Sequence, residues 1–179
     1  HTYGYGVKAF GLSMVEAAIT ISQGQVPTEV LAHLLQLTRD LLLAPVRLLD
    51  SVPEVLAELA KSHRLILITK GDLVHQTRKV TTSGLDHLFD HVEIVLEKDV
   101  ATYAKVFRDI AVPPEKVCMV GNSVKSDILP ILELGGHAVH IPYHFLWELE
   151  HAEHPPTSPR FGELKNINEL PAWIHQLSI

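Results

Sequence analysis

The pattern of apolar and polar positions divides the chain near residue 45. Before it, apolar residues recur at helical spacing and no strand pattern is present. Pro27 and Thr28 open a segment in which Val30, Leu31, Leu34, Leu35, Leu37, Leu41 and Leu42 form a broad stripe, and a turn at Ala44-Pro45 ends it. After that turn, short continuous apolar runs alternate with helical ones. Leu65 to Ile68, Val92 to Leu96, Lys116 to Val120 and His137 to Ile141 read as strands buried on both faces of a parallel sheet. Ser51-Val52-Pro53-Glu54 has the form of a capping box, which predicts a helix from about Ser51 with Val52, Val55, Leu56 and Leu59 on its apolar face. Further helices are predicted over Leu73 to Ser83, around Tyr103, Val106, Phe107 and Ile110, and after Asp127, the last closing on Gly135-Gly136. The order βαβαβαβ predicts an α/β fold with a doubly wound parallel sheet and right-handed crossovers. Past Pro142, HFLWELEHAEHPPTSPRF reads as a surface loop, and NELPAWIHQL as a short terminal helix that docks Trp173.

Composition removes several classes of function. The chain is 46% hydrophobic and 20% charged, ample for a buried core, and its net charge of −6 with no basic run argues against a nucleic-acid partner. The most apolar stretch, Leu41 to Leu49, is broken by Pro45 and Arg47 and falls far short of the roughly 20 residues a membrane span needs. No signal-peptide pattern is present. The single Cys118, inside an apolar strand, has no internal disulfide partner, so a reducing cytoplasm is the expected location and core packing the expected role of the thiol. Histidines collect late in the chain, at His137, His140, His144, His151 and His154. His137 and His140 stand three apart on a strand and so point to opposite faces, with no acid or cysteine at ligand spacing, which argues against zinc. His87 and His91 are expected to be solvated turn residues.

The polar residues at the strand ends carry the chemistry. In open parallel sheets, ligands bind at the carboxyl ends of the strands, where the following helices present their N-termini. Thr69-Lys70-Gly71-Asp72 offers a hydroxyl and a glycine turn whose amides can approach an anion. Glu97-Lys98 offers a cation, and Gly121-Asn122-Ser123 with Asp127 offers oxygen donors of the kind magnesium takes. Each signal is weak alone; three at matching ends of one sheet reinforce one another.

These stretches resemble motifs of the haloacid dehalogenase-like hydrolases. LILITKGD resembles the family's second motif, which makes Thr69 the phosphate-binding hydroxyl, with Lys70 and Gly71 beside it. EKDVATY resembles the third, with Lys98 as the phosphate-neutralising lysine and Lys105 as the second candidate, and VGNSVKSD resembles the fourth, with Asp127 and Asn122 at the metal. HTYGYGVKAFGLSMVEAAI resembles the end of a helical cap, so the resemblance implies a partial cap over residues 1–45 and an α/β core over 46–179. Tyr3, Tyr5 and Lys8 lie on that cap and are expected to pack or face solvent rather than touch substrate.

Two departures bear on function. The family's first motif, a strand ending in two aspartates spaced by one residue, is not found, and with it the nucleophile and the general acid/base. The resemblance therefore implies that the stretch belongs to a longer protein, that a central strand lies upstream, and that the chain by itself is inactive. Motif four also carries Asn122 where an acid usually follows the glycine, leaving Asp127 most of the metal affinity. The implied activity of the intact protein is magnesium-dependent hydrolysis of a small phosphorylated metabolite through an aspartyl-phosphate. The alternatives are a metal-independent haloacid dehalogenase, or a non-catalytic member that binds a phosphorylated ligand or a protein.

Overall fold

The computed structural model describes residues 2–143 and 157–177. Seven α-helices and five strands are assigned there: α1 (Val7–Ile21), α2 (Thr28–Leu43), α3 (Val52–Leu59), β1 (Ile66–Lys70), α4 (Leu73–Ser83), β2 (His91–Val95), α5 (Val100–Asp109), β3 (Cys118–Gly121), α6 (Leu129–Glu133), β4 (His137–His140), β5 (Phe161–Glu163) and α7 (Leu170–Ile174). All strand pairs are parallel, and strands alternate with helices as the sequence pattern predicts. The four predicted strands appear within about two residues of their expected limits. β5 was not foreseen. It begins at the end of the stretch read as a surface loop and is three residues long with a glycine at its centre, too short for period-two alternation to register. Residues 144–156 of that loop, with His144, His151 and His154, lie outside the described residues.

The chain forms two compact units, His1–Leu48 with Ile66–Leu96, and Leu49–Leu65 with Glu97–Ile179. In the first, β1 and β2 pair from Ile66↔His91 to Lys70↔Val95, joined by α4. The connection between α1 and α2 is short, and the two helices pack on one another; Gly11 is pressed against Thr38, where a Cβ would overlap the threonine side chain. The apolar stripe of α2 is narrower than predicted. Leu31, Leu34, Thr38 and Leu42 are half-buried, whereas Val30, Leu35, Leu37 and Leu41 are exposed, because one neighbouring helix covers only a single i, i+3/i+4 row.

In the second unit β4 lies between β3 and β5, in register Cys118↔His137 to Gly121↔His140 and Ala138↔Phe161 to His140↔Glu163. Its core joins Val55 and Leu59 of α3 to Val139, Leu164, Leu170 and Ile174, with Cys118, Val120 and Trp173 packed against them. Trp173 crosses Gly162 so closely that any side chain there would overlap the indole, which accounts for a glycine in mid-strand. Ala138, alternating with Val139, turns to the other face, so helices flank this sheet on both sides. α3 begins where predicted, but without the capping box: Ser51 is left-handed (φ 64°) and makes no side-chain cap hydrogen bond. His91 likewise departs from expectation. It opens β2 and pairs with Glu93 at 2.9 Å, residues two apart on a strand sharing one face.

Candidate active site

Asp127 is placed by an irregularity of the helix that follows β3. Val124–Ile128 is a π-helical turn, closed by the Leu129 amide donating to the Val124 carbonyl five residues back. Ser123 caps it, its hydroxyl accepting from the Ser126 amide at 3.0 Å. The wider turn carries the Asp127 carboxylate back beneath the end of β3, against Gly121, where a Cβ would overlap it. The glycine of VGNSVKSD is therefore required by the side chain six residues later. Tyr103 of α5, with no exposed surface, donates its hydroxyl to the Ser126 carbonyl at 3.0 Å and supports the turn from below.

Asp127 is buried, its side chain 5% exposed, and both carboxylate oxygens are engaged. Oδ1 accepts from Lys98 Nζ at 2.7 Å, and Oδ2 accepts from the Ser123 amide at 3.0 Å. The Lys98 side chain is itself only 15% exposed, so the charges face each other in a low-dielectric setting where the pairing is strong and separation costly. Lys105 lies elsewhere, on the open face of α5, paired with Asp109 at 3.2 Å and largely solvated. Asn122 is exposed, and its backbone carbonyl faces His140 Nε2 at 3.2 Å.

In the first unit the turn after β1 brings together Thr69, Lys70, Gly71 and Asp72. Gly71 holds φ 144°, a region that side chains rarely adopt. Gln76, one turn into α4, donates from Nε2 to the Thr69 hydroxyl and, at 3.0 Å, to the Lys70 carbonyl. Asp72 caps α4 by accepting from the His75 amide at 2.9 Å, and it pairs with Lys8 at 3.0 Å. The Lys70 ammonium lies 4.1 Å from the centre of the Tyr5 ring, a cation–π contact worth about 0.5–1 kcal/mol at an exposed site. Of the N-terminal trio, then, Tyr5 and Lys8 rest on the Lys70–Asp72 turn, while Tyr3 is exposed. The sequence assigned no role in the site to Gln76, Tyr103 or His140.

Among the described residues no three His, Cys, Asp or Glu side chains converge to hold a metal. Asp127 has the hard oxygen that magnesium takes, but it is a single carboxylate with Lys98 on one oxygen, and Asn122 adds only a neutral amide. The donor type fits magnesium; a full ligand set needs oxygens from outside the described residues. Cys118 is inert by contrast, burial pushing its thiol up to about 12. No helix among the described residues is long and apolar enough to cross a membrane.

Residues 2–135 match the family model described as haloacid dehalogenase-like hydrolase. A glyceraldehyde 3-phosphate phosphatase of Methanothermobacter thermautotrophicus is 32% identical over 85 residues, 45% of this chain; the chain spans only 38% of that relative's length. Among solved structures, a haloacid dehalogenase-like family hydrolase from Xanthomonas campestris superposes with TM-score 0.88 at 35% identity, over 97% of this chain and 70% of that one. A 2-haloacid dehalogenase from Pseudomonas syringae shares the fold at TM-score 0.63 and 19% identity, over 95% of this chain and 71% of its own. The motifs, the parallel α/β architecture and the match over three quarters of its length together place the chain among the haloacid dehalogenase-like hydrolases.

Proposed function

We propose that the intact protein is a magnesium-dependent phosphatase of a small phosphorylated metabolite. The observation that carries this reading is the buried Lys98–Asp127 pair on the π-turn at the carboxyl end of β3. It keeps an ammonium and a carboxylate together where the strand-end rule places an anionic ligand. The phosphatase relative supports phosphate over halide, and so does Asp127, since dehalogenation has no use for a metal-binding acid.

On this reading Lys98 neutralises charge on the transferring phosphoryl group, and Thr69, Lys70 and the Gly71 amide bind its oxygens, with Gln76 fixing the direction of the Thr69 hydroxyl. Asp127 and Asn122 contribute to holding magnesium, whose chemistry is to offset the negative charge that builds on phosphoryl oxygens in the transition state. An aspartate from the strand that precedes this stretch in the family attacks phosphorus and breaks the ester bond, and water then hydrolyses the aspartyl-phosphate. α1 and α2 act as part of a cap that shields the reaction from bulk water.

Asp127→Asn in the full-length protein tests the assignment. It removes the charge but keeps the shape, and is expected to lower kcat on phosphate esters by about 10²-fold or more. Retention of wild-type kcat would remove Asp127 from the mechanism. Turnover of 2-haloacids in the absence of metal would favour the dehalogenase instead. A full-length protein inert toward a broad panel of phosphate esters would favour a binding role, for which the exposed Asn122 in place of an acid is the supporting feature.

A further inference from the structure

We infer that His140, braced by Glu163, is a positioning residue that clamps the peptide unit on which the Asp127 carboxylate rests. His140 ends β4, level with Gly121 on β3 and Glu163 on β5. Its ring spans the two sides: Nε2 lies 3.2 Å from the Asn122 carbonyl oxygen and Nδ1 3.0 Å from Glu163 Oε2. A peptide carbonyl and a carboxylate oxygen only accept, so each ring nitrogen faces an acceptor, Nε2 the Asn122 carbonyl and Nδ1 Glu163 Oε2. The imidazole side chain is 13% exposed, whereas that of Glu163 is 53% exposed, so the brace reaches the ring from the solvent side.

The consequence follows from peptide planarity. The Asn122 carbonyl and the Ser123 amide belong to one rigid unit and point in opposite directions. His140 grips its oxygen end, and Asp127 Oδ2 accepts from its N–H end at 3.0 Å. That plane cannot rotate without breaking one bond or the other, and each bond polarises the peptide in the sense that strengthens its opposite. Glu163, His140 and the Asn122–Ser123 peptide thus form one line of contacts that fixes the carboxylate facing Lys98. The inference rests on the phosphatase reading only for what Asp127 does; the clamp itself is a property of the second unit.

The test compares His140→Phe, His140→Gln and Glu163→Ala in the full-length protein. Two readouts are taken: hydrogen exchange at the Ser123 amide, and kcat and KM on a small phosphate ester at saturating magnesium. Phe fills the space without a donor, and is expected to speed Ser123 exchange about tenfold and to lower kcat with little change in KM. Gln restores a donor to Asn122 and is expected to recover most of both. Glu163→Ala, at an exposed position, is expected to give a smaller loss of about threefold, and decides the matter if the Phe variant does not fold. Unchanged Ser123 exchange in the Phe or Ala variant, or equal impairment with Phe and Gln, would overturn the clamp. If the wild-type protein hydrolyses no phosphate ester, the phosphatase reading fails while Ser123 exchange still decides this one.

Discussion

Asp72 and Asp99 each stand one residue ahead of a helix and accept a main-chain amide, His75 at 2.9 Å and Thr102 at 2.8 Å. Both carboxyls are held below the ordinary carboxylate value: Asp72 by the His75 amide and then by Lys8, Asp99 by the Thr102 amide and then by the Thr102 side chain. A lowered folded-state pKa means that the unfolded chain takes up the proton first. The stabilisation is therefore complete above the unfolded carboxylate pKa and is lost as pH falls through the folded values. The Asp72→Ala/Asp99→Ala double variant is expected to be less stable by about 1 kcal/mol per cap near neutrality and to converge on the wild type as pH falls through the folded-state values of the two carboxyls. Urea midpoints measured across that range check it; a constant gap would show that the caps act without their charge. At this scale neither cap was read from the sequence, and the one that was, the box at Ser51, does not form. The sequence did mark Lys98 and Asp127, which pair at 2.7 Å. It gave no role in the site to Gln76, Tyr103, His140 or Glu163, whose side chains are ordinary for their elements and acquire a role only from what folding sets opposite them.

The π-turn shows what element-level reasoning reached and what it missed. Apolar periodicity located a helix between Asp127 and Gly135, but it has no means of distinguishing five-residue from four-residue closure over Val124–Ile128. The turn's extra width follows from packing, with Gly121 on one side and the Tyr103 hydroxyl on the other. Tyr103 therefore couples α5 to the site, and Tyr103→Phe isolates that coupling because only the hydroxyl is removed. It removes the bond to the Ser126 carbonyl and is expected to cost about 1 kcal/mol by chemical denaturation, with kcat reduced more than KM is changed. Stability equal to the wild type would mean that the bond adds nothing net. The same limit explains the strands. Four were long enough and apolar enough to read, while β5 is defined by pairing with β4 and by Trp173 lying across Gly162, and its sequence carries neither fact.

For the molecule as a whole, fold and family were legible because parallel strands buried on both faces write continuous apolar runs, and because the strand-end motifs stand in a fixed order along the chain. The predicted broad face of α2 fared less well, since burial depends on how many neighbours a helix has and not on its own periodicity. On the phosphatase reading, the buried Lys98–Asp127 pair is one part of a phosphate site that also needs further oxygen ligands and a nucleophile. The direct test is hydrolysis of a panel of small phosphate esters by the full-length protein, before and after EDTA and again after magnesium is restored. A magnesium-dependent phosphatase gives turnover that EDTA abolishes and magnesium recovers. Hydrolysis that persists in EDTA would contradict that reading.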